Sequence, residues 1–278
     1  MSIQLIGMDM DGTFLRDDKT FDEPRFQKQL DEMNARHIHF VVSSGNQFLH
    51  LKEIFKDIHG KISYIAENGA FVMTGRDEKL EQSFIKPNVL KRFVHELETN
   101  SIFAGGNHIL SGEHGAYIPD NESAEDIKNA KYYYQDLHIV HNLENVDDNI
   151  YKISLGWDSD DVSTQMRFID QQFKGLLRGT SSGRGGIDVL NDGISKANGM
   201  EIFRKHWNLT RDNMAAFGDS GNDIEMLKAC KYGIAMKNAA PEVKAIVNYE
   251  TVHDNEHDGT LDTIDRILKG EPLHRIEH

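Results

Sequence analysis

Asp9-Met10-Asp11-Gly12-Thr13 follows directly on the apolar run Ile3-Gln4-Leu5-Ile6-Gly7-Met8. An apolar run cut off by Gly and Thr reads as a short buried strand, which delivers the residues behind it to the carboxyl edge of a sheet. Open parallel sheets bind their ligands at that edge. Two carboxylates, Asp9 and Asp11, are expected there, two residues apart. Taken alone, the stretch also fits a surface turn, where Asp and Gly are common. The residues that decide between the readings lie far downstream.

A second apolar run, Met214-Ala215-Ala216-Phe217, ends in Gly218-Asp219-Ser220-Gly221-Asn222-Asp223 and brings Asp219 and Asp223 to another strand end. Between the two acidic motifs come Val41-Val42-Ser43-Ser44-Gly45-Asn46, hydroxyls closing a third strand, and Ser195-Lys196-Ala197-Asn198-Gly199, a lysine at a helix start. A lysine in the first turn opposes the helix dipole, so a nearby anion explains Lys196 better than a solvated face does. This ordered set of four motifs resembles the haloacid dehalogenase-like phosphatases. The resemblance implies an α/β fold with a Rossmann-like parallel-sheet core and an inserted α+β cap.

The composition agrees with that expectation and removes others. With 278 residues the chain can bury one or two cores. Lys and Arg total 31 against 45 Asp and Glu, a formal charge of −14, so the surface repels nucleic acid and anionic membranes. A phosphate substrate has to be drawn by local cations. Cys230 is the single cysteine, which rules out an internal disulfide, and its place in Met226-Leu227-Lys228-Ala229-Cys230 reads as core. There is no signal-peptide pattern and no run of roughly 18 apolar residues, so a cytoplasmic protein is expected. The 14 histidines are scattered without metal-ligand spacing.

Along the chain, Phe26, Leu30 and Met33 mark a helix over 22–35, a strand follows over 39–43, and a helix over 46–58 has Phe48, Leu51, Ile54 and Phe55 inward. The start of that helix offers free backbone donors to an anion. Ser44 before it reads either as a phosphate ligand or as the helix N-cap. A strand over 62–66 leads to Glu67-Asn68-Gly69-Ala70, where Asn-Gly signals a hairpin turn into Phe71-Val72-Met73. Val89, Leu90, Phe93, Val94 and Leu97 give an amphipathic helix, followed by short strands near 117–118, 137–140 and 151–156 and helices over 123–129 and 162–173. No strand end carries Asp in this mixed region. Residues 85–185 are therefore read as the cap, and 1–84 with 186–278 as the core. Ser181-Ser182-Gly183-Arg184-Gly185-Gly186 reads as the hinge back to the core, with 187–190 as the next core strand, in preference to a phosphate-cradling loop. Pro241 marks the start of a helix, and Ile264, Ile267 and Leu268 dock a last one.

Four carboxylates at one sheet edge repel one another, by about 4 kcal/mol per pair at ~4 Å and an effective dielectric near 20. A divalent cation relieves this, and an all-oxygen donor set without Cys or His suits Mg²⁺. By resemblance its ligands are Asp9, the Asp11 backbone carbonyl, Asp219 and Asp223, while Met10, Ser44, Gly45, Lys196 and Asn222 bind phosphate. The resemblance also makes Asp9 the nucleophile of an aspartyl-phosphate route and Asp11 the acid and base. Asn68, Arg184 and Asn238 are weaker candidates for substrate contact. Asn46 stands where the Cof-type branch often has Arg, and Ser-Gly-Asn-Gln marks its sugar-phosphatase part. The expectation is a Mg²⁺-dependent phosphatase of small phosphorylated metabolites, foremost sugar phosphates. A phosphomutase is the alternative enzyme, and a phosphosugar sensor without turnover the non-enzyme alternative.

Overall fold

The computed structural model describes residues 2–183 and 185–276. In chain order the strands are β1 (Leu5–Met8), β2 (His39–Ser43), β3 (Ile62–Ala66), β4 (Phe71–Met73), β5 (Lys79–Gln82), β6 (Asn107–Gly112), β7 (Ala116–Pro119), β8 (Leu137–Val140), β9 (Ile150–Gly156), β10 (Leu177–Ser181), β11 (Gly186–Asn191), β12 (Met214–Gly218), β13 (Tyr232–Ala235) and β14 (Tyr249–Glu250). The helices are α1 (Glu23–Ala35), α2 (Phe48–Ile54), α3 (Pro87–Thr99), α4 (Ala124–Tyr133), α5 (Ser163–Gln172), α6 (Lys196–His206), α7 (Ile224–Ala229), α8 (Pro241–Lys244) and α9 (Gly259–Lys269). The chain divides into two units: residues up to Ser44, Phe55–Glu81 and Ser195 onward form the first, Gly45–Ile54 and Gln82–Ile194 the second.

β1 is buried along its whole length, and its apolar neighbours β2 and β12 run parallel to it on either side, with Met8 level with Val42 and Phe217. The sheet order is β14-β13-β12-β1-β2-β3-β4-β5. Near-continuous apolar strands are what a parallel sheet covered on both faces requires. β3 is parallel to β2, and β4 returns antiparallel on β3 through the Glu67–Gly69 turn, where Asn68 adopts the left-handed conformation that an Asn-Gly pair tolerates. Because β12, β1, β2 and β3 all point one way, Asp219, Asp9, Ser44 and Glu67 leave the sheet at one edge. Cys230 is buried, and its thiol is pushed up to about 12 by that burial.

The second unit is a six-stranded sheet in the order β10-β11-β9-β6-β7-β8. α3 lays Val89, Leu90, Phe93, Val94 and Leu97 into its core, where Phe93 meets Phe173 with ring centroids 5.1 Å apart.

Several sequence expectations are corrected here. The strand over 187–190 is β11, and it does not return to the parallel sheet: it lies between β9 and β10, with Val189 level with Ile153 and Gly179. β10 and β11 pair antiparallel, with Ser182 N bonded to Gly186 O at 3.1 Å, and the first unit resumes at Ser195 and not at 186. The earlier boundary falls at Glu81 and Gln82, and Gly45–Ile54 groups with the second unit. The helix expected over 46–58 is only Phe48–Ile54, because side chains hold the chain ahead of it: Lys152 Nζ donates to the Gly45 carbonyl, and Gln47 Oε1 accepts from Gln135 N at 3.3 Å. Asn46 therefore precedes the helix. Phe55 belongs to the first unit's aromatic core, 5.7 Å from Phe14 and 5.6 Å from Phe21. Among the described residues no helix is long and apolar enough to cross a membrane.

Burial pulls His108, in β6, down to about 4, and its hydrogen bond to the Phe103 backbone opposes this only in part. In an unfolded chain the same group titrates near 6.5. As pH falls through 6.5 towards 4 the unfolded chain therefore takes the proton first, and up to about 3 kcal/mol of stability present above pH 6.5 is lost. His108→Gln should flatten the dependence of the urea midpoint on pH between 7 and 4.5. An unchanged slope would locate the acid sensitivity elsewhere.

Candidate active site

Lys196 is the first residue of α6, behind the N-cap Ser195, whose Oγ accepts from Asn198 N at 3.2 Å. Its Nζ lies 2.6 Å from Asp9 Oδ1 and 2.8 Å from Asp223 Oδ1. The three residues are 2%, 6% and 0% exposed, so this is a buried charge cluster and not a surface ion pair. Asp9 follows β1, and its N still pairs with Phe217 O at 3.2 Å, which extends the ladder one residue past the strand. Asp223 closes the short Gly221–Asp223 turn before α7, and its Oδ2 accepts from Asp219 N at 3.1 Å and Ser220 N at 3.2 Å.

Asp219 completes the centre: Asp9, Asp219 and Asp223 each place one carboxylate oxygen within 4.8 Å of the others. Thr13 Oγ1 donates to Asp219 Oδ1 at 3.0 Å. Gly12, at φ 75°, passes so close that a Cβ there would lie 2.7 Å from Asp219 Oδ2. A side chain at position 12 would thus displace a carboxylate from the centre as well as strain the backbone.

Burial and then the Asp223 carboxylate hold Asp9 well above the usual carboxylate range, with Lys196 working against them. Burial and Asp223 likewise push Asp219 up to about 6. For Lys196 burial favours the neutral form, but the Asp223 and Asp9 carboxylates outweigh it, and the ammonium is held above its ordinary value. One ammonium among three carboxylates leaves the centre negative. An all-oxygen triad of this kind fits a hard divalent cation, whose charge would cover the excess.

The remaining candidates fall into place around this centre or outside it. The Met10 carbonyl accepts from Phe14 N at 3.0 Å and Leu15 N at 2.9 Å, which fixes the loop behind the first motif. Asp11 is not in the triad, and its carboxylate pairs with Lys19 at 2.6 Å. Ser44 and Asn68 are both buried at the same sheet edge, joined by Asn68 N to Ser44 O at 3.0 Å. Gly45 belongs to the second unit's contacts. Asn222 Oδ1 accepts from Ser220 Oγ at 2.8 Å. Asn238 clamps the first motif, with Nδ2 2.7 Å from Gly12 O, so its amide has a structural job. Arg184 lies outside the described residues. The sequence reading missed Thr13 and Lys19. Thr13 stood in the quoted motif and was read only as a strand terminator, and Lys19 carried no signal beyond a polar loop.

A parallel sheet that brings three carboxylates and a buried lysine together at one edge is the feature to set beside known proteins of similar sequence and structure. A family model described as haloacid dehalogenase-like hydrolase matches residues 6–264. The chain belongs to that family. It is 34% identical over 271 residues to the 5-amino-6-(5-phospho-D-ribitylamino)uracil phosphatase YbjI of Escherichia coli (strain K12), covering 98% of both chains. It is 24% identical over 249 residues to the HMP-PP phosphatase of Enterobacter sp. (strain 638), covering 88% of each. Among solved structures, SMU.1108c from Streptococcus mutans UA159 superposes with a TM-score of 0.92 at 34% identity, over 96% of this chain and 100% of the other. The protein is thus a phosphatase, a phosphoric monoester hydrolase, and the sensor alternative is set aside.

Removing the buried ammonium leaves two buried carboxylates unpaired, a change that typically costs about 3–5 kcal/mol. Lys196→Met should lose about that much unfolding free energy in metal-free buffer, measured by urea titration. Adding Asp223→Asn to it should recover part of the loss. A stability equal to the parent's would mean that Lys196 does not neutralise this cluster.

Proposed function

We propose that the chain hydrolyses a phosphate monoester of a sugar or sugar alcohol, using Mg²⁺ and an aspartyl-phosphate on Asp9. The family supports the coarser statement on its own: the enzyme is a phosphatase, and the named relatives act on small phosphorylated compounds. The observation that carries the finer reading is the Asp9 carboxylate, buried beside a lysine in a triad of oxygen donors.

Asp9, Asp219, Asp223 and the Asp11 carbonyl would hold the cation. When bound, the cation supplies positive charge against the phosphoryl oxygens, as Lys196 does from the protein side. Asp9 attacks phosphorus, and the bond to the substrate oxygen breaks as Asp11 delivers a proton to it. Asp11 then takes a proton from the water that attacks the same phosphorus, which returns Asp9 and releases phosphate. Ser44 and the backbone at Met10 and Gly45 are assigned to the phosphoryl oxygens, with Asn222 beside them. The second unit is assigned to substrate choice.

The relative's substrate, a ribityl phosphate carrying an aminouracil, is a sugar-alcohol monoester and belongs to the proposed class. A panel of sugar phosphates, that ribityl phosphate and an aryl phosphate, run with Mg²⁺ and with EDTA, tests the proposal. Sugar or ribityl esters should be preferred over the aryl ester by kcat/KM, and EDTA should abolish turnover. Asp9→Asn should lose roughly a thousandfold or more. Equal rates across the panel, or full turnover in Asp9→Asn, would contradict the reading.

A further inference from the structure

Of the four motif carboxylates, Asp9, Asp219 and Asp223 come together in the oxygen triad and Asp11 does not. Asp11 turns instead to Lys19, with Nζ 2.6 Å from Oδ1. Lys19 reaches it from an unusual backbone, φ 67°, a left-handed conformation that Gly or Asn would adopt at lower cost. The turn around it is closed by Lys19 N to Arg16 O at 2.9 Å and Arg16 N to Thr20 O at 3.0 Å. That turn is pinned from the far end of the chain. Arg16 Nη2 pairs with Asp258 Oδ1 at 2.6 Å, Asn255 Nδ2 donates to Leu15 O at 3.1 Å, and Asp17 N to Glu256 Oε1 at 2.6 Å.

A non-glycine residue kept in a costly conformation by several surrounding bonds points to a constraint on where its side chain goes. Here the side chain goes to Asp11. A cation held at the triad would attract a carboxylate two residues past Asp9, and a carboxylate drawn there would no longer be available to the leaving oxygen. We propose that Lys19 is the positioning residue of Asp11, holding its carboxylate out of the metal centre and on the leaving-group side. The proposal rests on the acid and base role given to Asp11 above and extends it to a residue without a motif.

The test uses the full-length enzyme and the variants Lys19→Met, Lys19→Arg and Asp11→Asn. Each is assayed in a single turnover, reading release of the leaving alcohol before the phosphoenzyme is hydrolysed, with a sugar phosphate, whose alkoxide leaves poorly, and with p-nitrophenyl phosphate, whose leaving group needs little protonation. Mg²⁺ affinity is measured separately by calorimetry without substrate. An exposed ion pair of this kind supports an effect of about fivefold. Lys19→Met should lower the single-turnover rate of alcohol release from the sugar phosphate about fivefold, change that from the aryl ester by less than about twofold and bind Mg²⁺ more tightly. Lys19→Arg should restore both values. If Lys19→Met lowers both substrates equally, or neither, while Asp11→Asn separates them, Lys19 does not position Asp11 and the role of Asp11 stands. If Asp11→Asn does not separate the substrates, the acid and base reading fails and the Lys19 proposal falls with it.

Discussion

The buried contact of the Lys196 ammonium with Asp9 and Asp223 is the interaction that the rest of the first unit serves. Removing ionised groups from water costs several kcal/mol each, and only close, well-bonded partners repay it. α6 must therefore begin where β1 and β12 end, with little tolerance. The close approach at Gly69 shows how tight that is: at φ 104° it lies against the Ser195 carbonyl just ahead of the lysine, where any Cβ would collide. The turn between β3 and β4 thereby seats the start of α6.

The same cluster explains how an anion can be handled by a chain with a formal charge of −14. Lys196 is fully engaged by two carboxylates, and Asp219 stands beside them with a pKa pushed up to about 6 by burial and by Asp223. The protein groups alone do not present a positive face to a phosphate. A dication held at the oxygen triad would invert the local sign and give a phosphate a positive partner there.

Much of this was legible because the decisive signals are local. The apolar runs before Asp9, Ser44 and Asp219 end where β1, β2 and β12 end, and β2 and β3 have the expected bounds. The five apolar positions of α3 are the ones it buries. Other features depend on partners far away in the chain. A Ser-Gly-rich turn looks the same whether it is a hinge or a hairpin, and only the pairing of β11 with β9 and β10 decides it. Polar strands such as β5 and β10 carry too weak a pattern to stand out. α2 is shortened by Lys152 and Gln135, about a hundred residues away. The contact of Thr13 with Asp219 and the Asn238 clamp on Gly12 likewise span more than 200 residues. In the site, Asp9, Asp219, Asp223 and Lys196 stand in local motifs, whereas Thr13 and Lys19 are tied to it by contacts that no motif marks.

The central claim is that Asp9 becomes covalently phosphorylated, and the most direct measurement is to trap that state. Asp11→Asn removes the proposed base while keeping the side chain's size, so an aryl phosphate should still transfer its phosphoryl group and the product should then persist. Acid-quenched protein, digested and analysed by mass spectrometry, should carry one phosphoryl group on the peptide containing Asp9. It should be preceded by a burst of aryl alcohol close to one per enzyme. Absence of the adduct, with aryl phosphate hydrolysed at the parent rate, would contradict the account, as would a phosphoryl group on any other residue.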